Sequence, residues 1–198
     1  MTAPLTTTKS ALREQIRARL KGSSPAERAA ASAQACVRLQ QQEIWWRARA
    51  ILFYAPLSEE LDVSPLIAAA RAAGKGVVLP KFLPATGSYG AFQINDLARD
   101  CAGGKFGIQE PSDGCPSWPL NQLDLVLVPG VGFDVAGHRL GRGKGFYDRL
   151  LAGVSGIKCG VAFDAQVIDA IPFEPHDVAV DCILTPTRWL EVSGRRPV

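Results

Sequence analysis

Near the middle of the chain, residues 123–128 read Leu-Asp-Leu-Val-Leu-Val and are ended by Pro129. This aliphatic run is the strongest strand signal in the sequence, and a strand of that kind belongs in a sheet covered on both faces. Short apolar runs alternate with helical patterns around it. Strands are predicted over residues 50–54, 76–80, 89–94, 157–163 and 182–184. A first helix is predicted over residues 9–20, because Leu12, Ile16 and Leu20 share one face. A second runs from Pro25 to about Gln42, with Ser24 as N-cap and Pro25 in the first turn. Two more are predicted over 63–73, stopped by Gly74, and over 146–151. Residues 103–119, rich in Gly and Pro, read as one long loop. The alternation implies an α/β fold, an open and mostly parallel sheet with helices on both faces.

A chain of 198 residues fits a single domain over residues 9–198, preceded by a polar tail, residues 1–8, expected to be disordered. The hydrophobic fraction of 47% is enough for a core without staples. A net charge of +3, with no long Lys/Arg block, favours small anionic ligands and argues against nucleic acid. The five cysteines include no Cys-x-x-Cys pair, which points to reduced thiols rather than to disulfides or zinc. Neither a signal-like apolar segment nor a bilayer-length apolar run is present. A soluble, cytoplasmic protein without membrane contact is expected, acting as a monomer.

The stretch Arg139-Leu140-Gly141-Arg142-Gly143-Lys144-Gly145-Phe146-Tyr147-Asp148 combines backbone freedom with positive charge. It is not a P-loop, because Gly145 follows Lys144 and His138 stands where the first glycine belongs. Nor is it a dinucleotide fingerprint, since Phe146 replaces the third glycine. Composition alone fits a solvated surface turn equally well. Position favours function, because ligands of open α/β sheets bind beyond the carboxyl ends of strands. There the glycines let backbone N–H groups approach phosphate, Arg142 and Lys144 add charge, and Asp148 is a candidate magnesium ligand.

The run from Val128 to Asp134, then Gly137 and the glycine stretch, resembles the signature of the 5-formyltetrahydrofolate cyclo-ligase family. Lys9 and Arg13 fit its N-terminal Lys-x-x-x-Arg, and Glu60-Leu61-Asp62 its Glu-hydrophobic-Asp. Residues 106–111 fit its aromatic-Gly-Ile-x-Glu-Pro turn; Gln166, Ile171-Pro172, His176-Asp177, Asp181 and Thr185 fit its C-terminal third. The resemblance implies a sheet related to the ribose-phosphate isomerase and CoA-transferase-like group. It also implies MgATP-dependent cyclisation of 5-formyltetrahydrofolate to 5,10-methenyltetrahydrofolate through a phosphorylated formyl group. Two alternatives are a non-catalytic folate- or nucleotide-binding module, and a sugar-phosphate or acyl-CoA enzyme of the related fold.

On that resemblance ATP falls to Lys9, Arg13, Arg139 and residues 141–148 (Gly141, Arg142, Gly143, Lys144, Gly145, Phe146, Tyr147, Asp148). Arg142 and Lys144 are its catalytic cations, and Asp148 holds Mg2+. The folate falls to Glu60, whose carboxylate can accept from pterin N–H groups, and to the rings of Tyr54, Phe82, Phe106, Phe146 and Tyr147. Phe146 stands where the family often has tyrosine, and the folate-side methionine of relatives is missing, Met1 being the sole Met. His138 reads as a solvated loop residue. His176 and Asp177 divide evenly between structural and site roles.

Overall fold

The computed structural model describes residues 8–104 and 108–194. It opens with three helices, α1 (Lys9–Leu20), α2 (Pro25–Gln40) and α3 (Glu43–Arg47). Thr8, placed by sequence in the tail, instead accepts from the Ala11 amide and caps α1. Ser24 and Glu27 form a reciprocal capping box at the start of α2, with Pro25 in its first turn, an arrangement typically contributing about 1 kcal/mol. The helix predicted to reach Gln42 stops at Gln40, and α3 buries Trp45 while Trp46 remains exposed.

The remaining elements alternate. They are β1 (Ala50–Leu52), α4 (Ser64–Ala72), β2 (Gly76–Leu83), β3 (Ser88–Gln93), α5 (Leu97–Asp100), β4 (Cys101–Gly103) and β5 (Gln109–Pro111). Next come β6 (Leu125–Pro129), β7 (Gly132–Asp134), β8 (Arg139–Leu140), α6 (Phe146–Ala152), β9 (Ile157–Val161), β10 (Val167–Ile168), β11 (Cys182–Leu184) and β12 (Trp189–Glu191).

The main sheet has the order β12-β11-β9-β6-β1-β2-β3, so the strand with the strongest sequence signal is its central one. β11, β9, β6, β1 and β2 are mutually parallel, whereas β3 and β12 close the two edges antiparallel. Alternate side chains divide between the two faces, as strand geometry requires. Ile51, Leu125, Leu127 and Cys159 join the core under α2, α3 and α4. Leu52, Val126, Val128 and Ile183 join Leu150 and Leu151 of α6 on the other side. Truncating such a fully buried leucine to alanine typically costs about 2–5 kcal/mol. A third, smaller core packs Leu12 and Ile16 of α1 against Val131, Leu140 and Ile171.

Two regions differ from the sequence reading. The supposed loop over 103–119 contains β5, which pairs with β4 in an antiparallel ladder. The stretch after Pro129 is not free loop either, because β7, β8 and β10 form a small separate sheet. Asp134 anchors that sheet. Its side chain is 2% exposed and accepts from the amides of Ala136, His138 and Ile171. His138, expected to be solvated, sits half-buried with Nδ1 3.0 Å from Asp134 Oδ2 and its ring stacked on Phe173 at 3.9 Å. A buried carboxylate needs such partners, and the imidazole is one of them.

Candidate active site

The carboxyl ends of three neighbouring parallel strands meet at one mouth. Tyr54 and Ala55 follow β1, Pro80 lies late in β2, and Pro129 and Gly130 end β6; all line a cavity of about 570 Å3. This is the crest where an open α/β sheet binds ligands.

One end of the cavity is cationic. β8 delivers the chain into the glycine loop, where Gly143 (φ 96°) and Gly145 (φ 62°) occupy left-handed conformations that favour glycine. Arg142 and Lys144 alternate with them, both exposed and both lining the cavity. α1 lies across this loop. Arg13 Nε donates to the Gly141 carbonyl at 2.8 Å, and Lys9 Nζ donates to Asp177 Oδ2 at 2.7 Å. One turn apart, Lys9 and Arg13 therefore reach the same cavity. Burial would raise the Asp177 carboxyl, but the Lys9 ammonium and the Glu174 amide outweigh it and hold it below its ordinary value.

Arg139 and Asp148 also line this end, joined to each other. The Arg139 guanidinium, 5% exposed, donates to Asp148 Oδ1 at 2.9 Å and lies 5.6 Å from the centre of the Tyr147 ring. Arg139 thus orients Asp148 and Tyr147. Among the described residues no group of three or more His, Cys, Asp or Glu gathers to hold a metal ion.

The other end joins a carboxylate to aromatic rings. Glu60, with its side chain 13% exposed, accepts from the Leu57 amide at 3.1 Å and from Arg142 Nη2 at 3.3 Å. Burial pushes its carboxyl above the ordinary value, while the Leu57 amide and Arg142 pull against that rise. Phe146, Tyr147 and Tyr89 line the cavity beside it, with Tyr89 5.7 Å from Phe146 and 6.0 Å from Tyr147 between ring centres. Burial, with Glu60 adding to it, pushes the Tyr147 hydroxyl up.

Two of the rings expected to stack on a ligand have other duties. Tyr54 is 2% exposed, and its hydroxyl donates to the Leu61 carbonyl at 2.7 Å, so it forms wall rather than platform. Phe82 is absent from the cavity lining; its ring meets Phe146 edge-on at 5.3 Å and Tyr89 at 5.7 Å, supporting the two rings that do face in. Phe106 lies outside the described residues. Conversely, Glu59, Tyr89, Glu110 and Glu174 line the cavity without having been singled out. Glu110 stood in a quoted motif and Glu59 beside Glu60, but nothing local marks either as facing a ligand.

The architecture is that of an α/β enzyme with its cleft at the carboxyl ends of parallel strands. A sequence model of the 5-formyltetrahydrofolate cyclo-ligase family matches residues 5–186, and the chain belongs to that family. It is 31% identical to the 5-formyltetrahydrofolate cyclo-ligase of Escherichia coli (strain K12) over 180 residues, covering 89% of this chain and 99% of that protein. The solution structure of Aquifex aeolicus 5,10-methenyltetrahydrofolate synthetase superposes with a TM-score of 0.84 at 31% identity, covering 96% of this chain and 95% of that one. The Mycoplasma pneumoniae 5,10-methenyltetrahydrofolate synthetase superposes with a TM-score of 0.70 at 26% identity, over 90% and 98% of the two chains. No helix among the described residues is long and apolar enough to cross a membrane.

Proposed function

We propose that the chain cyclises 5-formyltetrahydrofolate to 5,10-methenyltetrahydrofolate at the expense of MgATP, releasing ADP and phosphate. The observation that carries this reading is the single cavity whose cationic glycine-loop end meets a carboxylate-and-aromatic end at the Arg142–Glu60 contact. Phosphoryl transfer needs positioning and charge neutralisation rather than an enzyme nucleophile, and the lining supplies both.

In this scheme the formyl oxygen attacks the γ-phosphorus and the bond to ADP breaks. N10 then adds to the activated formyl carbon and loses its proton, and phosphate leaves with the formyl oxygen. Lys9, Arg13 and the loop amides hold the phosphates, while Arg142 and Lys144 face the charge that grows on the transferred group. Glu60 accepts from the pterin N–H groups, and Phe146, Tyr147 and Tyr89 flank its ring. Asp148 lines the cavity and keeps Oδ2 outside its bond to Arg139. One carboxylate together with substrate phosphates is a common way to hold magnesium, and there the ion would offset phosphate charge.

The test is the absorbance of the methenyl product formed from 5-formyltetrahydrofolate with and without MgATP. Product that depends on MgATP supports the reaction; folate binding without product would favour a non-catalytic module.

A further inference from the structure

β2 and β3 pair from Val78–Gln93 to Leu83–Ser88, and a turn over residues 84–87 joins them at the carboxyl end of β2. The far half of β3 is held on its outer edge as well. There the Trp118 amide donates to the Ala91 carbonyl at 2.8 Å, and the Gln93 amide to the Pro116 carbonyl at 2.9 Å. The near half brings Tyr89 to the cavity wall and meets the turn, where a side chain of another element takes hold. Arg149 of α6 donates from Nη2 to the Gly87 carbonyl at 3.1 Å.

The same guanidinium has two further neighbours. Its carbon stands 5.1 Å from the centre of the Phe146 ring, three residues earlier on the same helix face, close enough for a cation to be drawn to the ring. A Cβ on Gly145 would lie 3.3 Å from Nη1, so the group also rests over the end of the glycine loop. Phe146 in turn meets Phe82 and Tyr89 edge-on, at 5.3 and 5.7 Å between ring centres, and those two meet each other at 5.7 Å across the ladder. Phe146 and Tyr89 line the cavity, whereas Arg149 stands outside that lining. One exposed guanidinium therefore ties the helix that carries one lining ring to the hairpin that carries the other.

We infer that Arg149 is a positioning residue for the folate: by fixing Phe146 against the β2–β3 hairpin, it sets the gap between Phe146 and Tyr89 in which the substrate's rings lie. This rests on the proposed reaction, which puts the rings there. Contacts made by an exposed cation add little to global stability, so the worth of Arg149 is local. Without it, the folate must order both walls of the gap as it binds, while the phosphate end keeps its own cations.

The experiment is Arg149→Met, which keeps an unbranched stem and deletes the guanidinium. The KM for 5-formyltetrahydrofolate is expected to rise about three- to tenfold, the loss of one exposed cation–aromatic contact and one hydrogen bond. By contrast kcat and the KM for ATP should change by less than about twofold, and the thermal midpoint by less than about 4 °C. Phe146→Leu should raise the folate KM by itself. On that background Arg149→Met should add less than about twofold, because a residue acting through the ring has nothing left to hold. An unchanged folate KM in Arg149→Met overturns the inference, as does a full additional effect on the Phe146→Leu background. So does a rise in the KM for ATP instead, which would give the guanidinium to the nucleotide. Equal losses for both substrates with a lowered midpoint would make Arg149 a structural strap only, and overturn it too. An unchanged folate KM in Phe146→Leu overturns the placement of the folate, and the inference with it. A parent protein that makes no methenyl product sinks the reaction alone, and calorimetric folate binding by the same variants then decides the inference.

Discussion

Arg142 Nη2 lies 2.8 Å from Glu59 Oε1 and 3.3 Å from Glu60 Oε1, linking the glycine loop to the turn after β1 across 82 residues of chain. The bond to Glu59 is between side chains 45% and 49% exposed, so it adds only about 0–1 kcal/mol to stability. The bond to Glu60 matters more, because Glu60 is buried and Arg142 is one of the groups that keep its carboxyl from rising further. A phosphate that draws Arg142 away would therefore let the Glu60 carboxyl rise further, which ties the two ends of the cavity through one guanidinium.

Arg142→Ala tests that coupling. Turnover is expected to fall roughly 100- to 1000-fold, as when one donor to a developing charge is removed. Folding stability, read by urea denaturation, should fall by about 1–3 kcal/mol, since the buried Glu60 loses a charge-assisted partner. Folate binding should also need a higher pH, since Glu60 has lost its cation. Unchanged pH dependence would mean that Arg142 and Glu60 act separately.

Glu60 itself sets a pH prediction. Its carboxyl lies above the ordinary carboxylate value because burial disfavours the charged form. The folded state therefore holds the proton more tightly than the unfolded chain. That contribution to stability is largest below the unfolded value and is lost as pH rises through the folded one. Folate affinity should run the other way, falling on acidification above the ordinary carboxylate range as the carboxylate is protonated. Glu60→Gln should weaken folate binding and flatten this limb, leaving ATP affinity nearly unchanged. Calorimetric titration of each ligand from about pH 4 to 8 checks both halves.

Lys9→Ala should have the opposite ligand profile, weakening ATP and sparing the folate. It also removes the ammonium that helps hold the Asp177 carboxyl below its ordinary value. A carboxyl lowered in the folded state stabilises above its unfolded value, and that contribution disappears as pH falls through the folded value. The parent should thus lose more stability than Lys9→Ala on acidification below about pH 4, as followed by thermal denaturation. Equal acid slopes would mean the Lys9–Asp177 bond contributes nothing in solution.

The parts of the fold legible in the sequence are those with enough residues to carry a period. The run ending at Pro129 could be read as a buried strand, and it is the centre of the sheet. Leu12 and Ile16, four apart, correctly marked the buried face of α1. By contrast β7, β8 and β10 have two or three residues each, too short for alternation to show. β5 hides among prolines and glycines because its partner β4, not its own composition, makes it a strand. The candidate site divides in the same way. The glycine loop stands out locally, but a Lys9–Arg13 pair looks like any solvated helix face without the family pattern. Tyr89 faces the cavity only because a tertiary fold brings β3 beside α6, and no local pattern records that.

Asp134 offers a test of the part of the motif that builds structure. It closes off three backbone amides and one imidazole nitrogen from a nearly buried position. Asp134→Ala would leave those donors without their acceptor, and each buried unsatisfied group costs about 1–3 kcal/mol. A loss of about 1–3 kcal/mol in urea denaturation is expected, since the buried Ile171 amide loses its acceptor. A loss below about 1 kcal/mol would show that the small β7–β8–β10 sheet stands without its anchor.

Lys144→Met isolates the charge that the glycine loop carries toward the cavity. Lys144 sits between Gly143 and Gly145, whose left-handed φ values of 96° and 62° shape the backbone on both sides of it. Methionine keeps an unbranched apolar stem and deletes the ammonium, so those backbone angles need not change. Negative charge spreads over the transferred group in phosphoryl transfer, and a fixed cation is worth most where that charge develops. Turnover should therefore fall roughly 100- to 1000-fold, about 2.7–4 kcal/mol. ATP affinity should fall less, because on the proposed reading Lys9, Arg13 and the loop amides would still hold the ground-state phosphates. Single-turnover kinetics at saturating ATP separate the two effects. Turnover within about threefold of the parent would correspond to less than about 1 kcal/mol of transition-state stabilisation and would make Lys144 a solvated surface charge.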